Sequence, residues 1–215
     1  MLCSSPALQR NNTVGRSTTD RTPRSAQVRN ENDDGIIDQA TAIHSVAAAR
    51  IVVLNGEVNE NTISSTIVQM LYLANQDRAP IHLVVSTYGG SVDEMFSLYD
   101  TIKFLPCPVH TVGLGKVMSS GVLLLASGEK GTRQIGRNAR VMLHPVHGAA
   151  SGTVFQQINS VSELKRMHDQ MVNALVRETK MTKTQVDQIM KKGHDHFLTA
   201  SEAIKLGIVD RYIDT

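Results

Sequence analysis

The sequence lacks several features that would point to a broad class of protein. It has no tryptophan and only four phenylalanines and four tyrosines in 215 residues, so a core must rely on aliphatic side chains and methionine. Its 22 basic and 20 acidic residues leave a formal net charge of +2, which gives no reason to expect nucleic-acid or membrane-surface binding. No apolar run approaches the ~18 residues that span a bilayer.

Cysteine is also scarce. Cys3 lies in a polar N-terminal stretch and Cys107 stands between two prolines, and the two do not have a metal-ligand spacing. We expect no disulfide between them, which is typical of a reducing compartment. The N-terminus also lacks the apolar stretch of a secretory signal. We therefore expect a cytoplasmic location, and leave open an organellar matrix or stroma and the cytoplasm of a virus-infected host.

Residues 1–34 differ in composition from the rest of the chain. They are rich in Ser, Thr, Asn and Arg and contain only four large aliphatic residues, so they cannot bury enough surface to offset the entropy of ordering. We predict a disordered leader or propeptide here, and a single domain over residues 35–215.

Short apolar runs alternate with helical patterns from residue 50 onwards. This alternation predicts an α/β fold with a largely parallel sheet. The amphipathic pattern at 153–180 predicts a helix of roughly 40 Å, which is long for one small domain. We expect this helix to project and pack against another subunit, although it can also lie along its own sheet. The predicted strands are 50–54, 81–85, 109–114, 140–143 and 208–213, and turns are expected at 55–56 and 86–91.

Four polar or glycine positions are candidates for chemistry, and three of them follow predicted strands. Ser119 joins a strand to a helix, which suits a nucleophile, although a serine there is more often a helix cap. Gly90 can present a backbone N–H to an oxyanion or simply form a tight turn. His144 suits a general base or a structural histidine. Asp195 lies after a predicted helix and before Thr199, where a capping-box spacing predicts the start of a short helix; it can orient an imidazole or lie in a solvated turn. Each of these residues alone leaves both alternatives open.

The order and context of these residues resemble the Clp peptidase family along most of the chain. The segments that carry the likeness are 51–56, 69–73, 86–90, 97–100, 115–128, 140–145, 195–203 and 207–210. The resemblance implies the α/β fold of repeated βα units that Clp peptidases share with crotonase-like enzymes. It also implies a projecting handle helix, within a handle region at about 147–180.

The resemblance further implies a site and a reaction. Ser119 is expected to be the nucleophile, His144 the general base and Asp195 its orienting carboxylate, with Gly90 and Ser120 giving the oxyanion N–H groups. The implied protein is a serine endopeptidase subunit that hydrolyses unfolded proteins inside an oligomeric chamber through an acyl-enzyme. We expect no cofactor and no metal. The four clustered histidines match no common zinc spacing; they are His144, His147, His194 and His196.

The partners implied are other copies of the chain and an unfoldase. Clp peptidases stack as two heptameric rings and receive substrates from Clp ATPases. The sequence has no phosphate-binding P-loop, so ATP hydrolysis is expected to belong to that partner. The family's docking segment is not recognisable in residues 30–49. The alternatives are a non-catalytic ring subunit, a viral head-maturation protease of related fold and an acyl-CoA-binding crotonase-like enzyme.

Two positions near the implied site depart from the family pattern. Tyr88 stands where the family usually has proline, so the loop before the glycines is less restricted and Tyr88 can line the substrate groove. Ser120 stands where the family usually has methionine. This smaller, polar residue predicts an altered primary specificity pocket.

Overall fold

The computed structural model describes residues 45, 46, 48–191 and 193–213, and the predicted leader at 1–34 lies outside the described residues. Strands and helices alternate along the chain, as the sequence predicts. The elements are β1 (Ile51–Val58), α1 (Glu60–Gln76), β2 (Ile81–Gly90), α2 (Val92–Phe104), β3 (Val109–Met118), α3 (Ser120–Ala126), β4 (Gln134–Ile135), β5 (Arg140–Leu143), α4 (Val154–Glu178), α5 (Lys183–Lys191), β6 (His196–Thr199), α6 (Ala200–Lys205) and β7 (Arg211–Tyr212).

The strands form one sheet, which divides at β3. The main path runs β1-β2-β3-β4-β7 and is parallel throughout. β5 instead pairs in parallel with the last residues of β3, where Met118 lies opposite Met142. β6 then pairs antiparallel with β5. The predicted α/β class with a largely parallel sheet is confirmed, and the division brings the residues after β3 and β5 together.

The strands are longer than local patterns suggest. Turns were predicted at 55–56 and 86–91, but β1 continues to Val58 and β2 continues to Gly90. Gly56, with φ of 106°, is accommodated as a register irregularity in β1 rather than as a turn. A tight turn and a register irregularity in a strand both use the backbone freedom of glycine, so the residue type does not distinguish the two. The strands β4 and β6 were not predicted, because they are too short to show a periodicity.

The last predicted strand, 208–213, is mostly not a strand. Only Arg211–Tyr212 pairs with β4, while Ile208 and Val209 are buried in the core ahead of it. Their β-branched side chains give the same sequence signal whether they form a ladder or fill a core. The capping box at Thr199 is present as predicted, and it opens α6.

The short helix α3 lies at the centre of the core. All of its residues are buried, and it packs against β2, β3 and α2. Full burial of each leucine stabilises the fold by about 1.5–3 kcal/mol, so this helix holds a fixed position. The residue that precedes it, Ser119, is fixed by the same packing. The largest fully buried side chains around it are aliphatic or methionine, as the composition predicts; they include Leu83, Met95, Leu98, Leu123, Leu124 and Leu125.

Helix α4 changes character along its length. Its C-terminal part packs into the core through Met171, Val172 and Leu175. Its N-terminal part presents apolar side chains to solvent, including Phe155, which is 80% exposed, and Val154, which is 70% exposed. The projecting helix predicted from the sequence is therefore found. Among the described residues, no helix is long and apolar enough to cross a membrane.

A buried ion pair holds the C-terminal segment against the sheet. Arg133, only 3% exposed, donates from Nε to Asp210 Oδ2 (2.9 Å) and from Nη2 to Oδ1 (2.7 Å). Its Nη1 donates to the carbonyls of Ala126 and Glu178, at 3.1 and 2.7 Å. Burial alone raises the pKa of the Asp210 carboxyl, but the hydrogen bonds and charge of Arg133 outweigh burial and lower it. Arg133 thereby joins the ends of α3 and α4 to the segment before β7.

Candidate active site

Ser119 occupies a strained junction between β3 and α3. Its φ is 55° and its ψ is −124°, a conformation that L-residues rarely adopt. The backbone is held there because the Ser119 N–H donates to the Met142 carbonyl (2.8 Å) and its carbonyl accepts from Val122 (3.0 Å). The Ser119 side chain makes no capping hydrogen bond. A sharp strand-to-helix turn that frees a serine hydroxyl is typical of serine hydrolases. The simple cap alternative is therefore wrong.

His144 directly follows β5 and reaches Ser119. Its Nε2 lies 2.8 Å from Ser119 Oγ, within hydrogen-bond range. Both side chains are partly buried. The pairing of β5 with the end of β3 produces this contact, because Met118 and Met142 are partners and the chain continues one residue to Ser119 and two to His144. The two residues have the geometry of a nucleophile and its general base.

The glycine pair at the end of β2 approaches Ser119 closely. A Cβ placed on Gly89 would lie 2.5 Å from Ser119 Cβ, and one placed on Gly90 would lie 2.2 Å from the Val58 carbonyl oxygen. Both glycines have positive φ, so no other residue fits here without movement. Gly90 and Ser120, the predicted oxyanion donors, line one cleft together with Ser119 and His144. Because the Ser120 N–H is the first of α3, it has no acceptor within its own helix.

Asp195 follows the ladder register to a position opposite His144. The antiparallel register of β5 and β6 ends at Leu143 opposite His196, so the next position brings His144 opposite Asp195. The Asp195 side chain is exposed, and no hydrogen bond joins it to His144 in the described part of the chain. The structure thus brings together Ser119 and His144. It places Asp195, the predicted orienting carboxylate, on the neighbouring strand segment without a hydrogen bond to His144.

Sequence reasoning missed the role of His147 as a neighbour of the site. Its ring lies 5.0 Å from the His144 ring, centroid to centroid, at an interplanar angle of 36°. In the sequence, His147 stands out only as one of four clustered histidines. A His-Pro-Val-His spacing after a strand was the available signal, but it does not fix how the chain bends after Pro145.

A larger cleft of about 730 Å³ also opens at Ser119 and His144. Tyr88, 69% exposed, and Lys116 line it, and the Lys116 ammonium lies 5.0 Å from the centre of the Tyr88 ring. Tyr88 therefore borders the groove, as its position in the sequence suggested. The contribution of Lys116 was not anticipated, because it depends on the pairing of β2 with β3.

Comparison with known proteins identifies the family of this chain. The family model described as Clp protease matches residues 35–215. The chain belongs to the Clp protease family. The ATP-dependent Clp protease proteolytic subunit 3 of Synechococcus sp. (strain CC9902) is 35% identical over 166 residues, which are 76% of this chain and 82% of that protein. The family resemblance inferred from the sequence is confirmed.

Membership of the Clp protease family gives the coarse function. The chain is a peptidase-family protein, in the class of hydrolases that degrade proteins. The family match spans every element described above, including both strands that end at the site and the whole of α4.

Proposed function

We propose that this Clp family chain is a serine endopeptidase with Ser119 as nucleophile and His144 as general base. The observation that carries the proposal is the 2.8 Å approach of His144 Nε2 to the hydroxyl of a serine in a strained strand-to-helix turn. A serine hydroxyl needs an adjacent base to attack a carbonyl at neutral pH. This pair satisfies that need.

The proposed reaction is acyl transfer in two halves. His144 Nε2 accepts the Ser119 proton as Oγ attacks the peptide carbonyl carbon, and the negative charge develops on the carbonyl oxygen. The N–H groups of Gly90 and Ser120 are proposed to stabilise that oxygen, each worth about 3 kcal/mol in such sites. His144 then protonates the departing amine. In the second half His144 accepts a proton from water as the water oxygen attacks the ester carbon, and it returns a proton to Ser119 Oγ as the ester bond breaks and the acid is released.

Asp195 is proposed to orient His144 through its other ring nitrogen. The ladder register supports this role, because it sets the two backbones opposite each other. Directly opposed residues on antiparallel strands are close enough for their side chains to meet. The proposal therefore needs only a turn of the Asp195 side chain towards the ring.

Self-association is proposed through the projecting part of α4. Its apolar residues, Phe155 and Val154 among them, are exposed on one chain and need a covering partner. We propose the paired heptameric rings of the Clp family, with the sites facing an internal chamber and a Clp ATPase delivering unfolded substrates. The Synechococcus relative is named an ATP-dependent proteolytic subunit, which supports a role as one subunit of an assembly that depends on ATP.

The test combines an active-site probe with size analysis. A fluorophosphonate should label the wild-type chain and hydrolysis of a short fluorogenic peptide should accompany labelling. Ser119→Ala should abolish both, and His144→Ala should slow both by at least ~10³-fold. The matched control is Ser127→Ala, a buried serine at the other end of α3, which should still be labelled. An assembled wild-type chain that is not labelled would instead indicate a non-catalytic ring subunit.

A further inference from the structure

A second, smaller cleft opens beside the Ser119–His144 pair, and we name it the Asp93 cleft. Its volume is about 250 Å³, which suits one amino-acid side chain rather than a whole ligand. Both Ser119 and His144 line it, so a side chain adjacent to the scissile bond can enter it. Its other walls come from α2, α4 and the segment after β5, and the residues used below are Val92, Asp93, Ser120, Leu164, Met167 and Met171.

One side of the Asp93 cleft is apolar. Val92 comes from the first turn of α2, while Leu164, Met167 and Met171 come from successive turns of one face of α4. Such walls suit the methylene groups of a long side chain. The two methionines are unbranched and adjust at low cost, so the cleft can widen as a side chain enters.

One carboxylate also lines the cleft. Asp93 is the one residue with a formal charge at neutral pH on the cleft wall, and the described residues form no ion pair with it. Two cations lie along the adjoining groove between α2 and α4, but each is engaged elsewhere. Arg166 donates to Glu163 (2.9 Å) and Arg177 donates to Tyr99 (3.3 Å). The Asp93 charge therefore remains available to a substrate.

A buried hydroxyl on the same cleft also lacks a partner. Ser120 is 1% exposed, and its Oγ is the one buried side-chain polar atom without a hydrogen bond among the described residues. A buried hydroxyl left unpaired costs about 1–3 kcal/mol, so it needs an explanation. If the side chains of Met167 and Met171 move aside as a substrate side chain enters, a polar group at the end of that side chain would supply the missing hydrogen bond.

We infer that the Asp93 cleft is the primary specificity pocket and selects lysine or arginine on the amino side of the scissile bond. The inference rests on the proposed function, because it needs Ser119 to attack the carbonyl of the selected residue. The aliphatic stem packs on Val92, Leu164 and the methionines. The cationic end is paired with Asp93, and Ser120 Oγ accepts a hydrogen bond from it.

The presence of an acidic residue at position 93 also has an ordinary structural explanation, which the experiment must separate from a role in substrate binding. It lies in the first turn of α2 beside Glu94, and acidic residues are favoured there by the helix dipole. Glu94 shares that explanation but does not line the cleft. Glu94→Gln is therefore a matched control for Asp93→Asn, since both variants remove one first-turn charge with little change of shape.

The experiment measures kcat/KM for peptides that differ only at the residue before the scissile bond. That residue is lysine, acetyl-lysine, leucine or glutamate, and all peptides are assayed at one pH of about 8, where a lysine side chain carries its charge. We expect lysine to be preferred over both leucine and acetyl-lysine, and glutamate to be the poorest. Asp93→Asn should lower the lysine-to-leucine ratio about threefold to fivefold, a size set by one solvent-exposed charge pair, while Glu94→Gln should leave it unchanged.

A salt series gives a second readout that needs no variant. The wild-type lysine-to-leucine ratio should fall as ionic strength rises from about 0.05 M to about 0.5 M, because the Asp93 carboxylate is exposed enough to be screened. A chain labelled at Ser119 that prefers leucine, or whose ratio is insensitive both to salt and to Asp93→Asn, overturns this inference and leaves the proposed function intact. A chain that is neither labelled nor active overturns both.

Discussion

The close approach of Gly89 to the nucleophile makes a quantitative prediction for Gly89→Ala. The added Cβ would lie 2.5 Å from Ser119 Cβ and 2.9 Å from the Met118 carbonyl oxygen, whereas ordinary contacts begin at 3.4 Å. Ser119 must therefore move by about 0.9 Å, or β2 must retreat by that distance. A misplacement of about 1 Å at a reacting atom can reduce catalysis about 10²-fold. We expect kcat/KM and the rate of fluorophosphonate labelling to fall by about that factor.

Backbone strain has to be separated from this displacement. Gly89 has φ of 101°, so alanine there is strained whatever the available space, at a cost of about 1–3 kcal/mol. Gly131 has φ of 91°, but a Cβ there meets nothing within 4 Å. Gly131→Ala therefore carries the strain without the clash, at a position that lines neither cleft at Ser119.

The assay compares the two variants by thermal unfolding and by labelling rate. Both should lose stability, and Gly89→Ala should lose more because of the clash. Only Gly89→Ala should lose labelling. If Gly89→Ala is labelled within about threefold of Gly131→Ala, then the position of Ser119 does not depend on contact with β2, and the reasoning is refuted.

Three further predictions concern the scaffold and the assembly. Asp210→Asn should lower the free energy of unfolding by about 3 kcal/mol at neutral pH, because it leaves the Arg133 charge unpaired. Folding lowers the pKa of Asp210, so chemical denaturation should show this difference starting to shrink as the pH falls below about 4 and disappearing only below the lowered pKa; a constant difference would contradict it. Burial, and after it the hydrogen bond that Tyr99 donates to Glu178 (2.6 Å), raises the pKa of Tyr99. Absorbance titration should show that Glu178→Gln lowers the pKa of Tyr99 but leaves it above the ordinary tyrosine value, because burial remains. An unchanged pKa would exclude the carboxylate as a cause. Phe155→Ser should shift sedimentation towards smaller species while changing chain stability by less than about 0.5 kcal/mol, and unchanged assembly would exclude this part of α4 from the interface.

Several local features could be predicted because they follow from nearby residues. The alternation of apolar runs gives the α/β class, and the amphipathic pattern gives α4 almost to its ends. The capping box at Thr199 fixes the start of α6. Helix starts and periodic faces depend on residues three or four apart, so the sequence carries them directly.

Strand ends and neighbours were harder to predict for a physical reason. Whether Gly56 and Gly90 turn the chain or continue a strand depends on which strand lies alongside, and that partner is distant in sequence. The two-residue strand β4 exists only because β3 and β7 flank it. Such elements are stabilised by pairing rather than by their own side chains.

The candidate site shows the same division. The sequence by itself determined which residue types stand at the strand ends, with Ser119, His144 and Asp195 in an order that resembles the Clp family. Only the tertiary structure decided that Ser119 is no helix cap, that its hydroxyl meets His144, and that Asp93 and Ser120 share a cleft with them. The reason is that these contacts join β3 to β5 and α2 to α4, and their geometry is set by strand pairing and core packing between segments far apart in the chain.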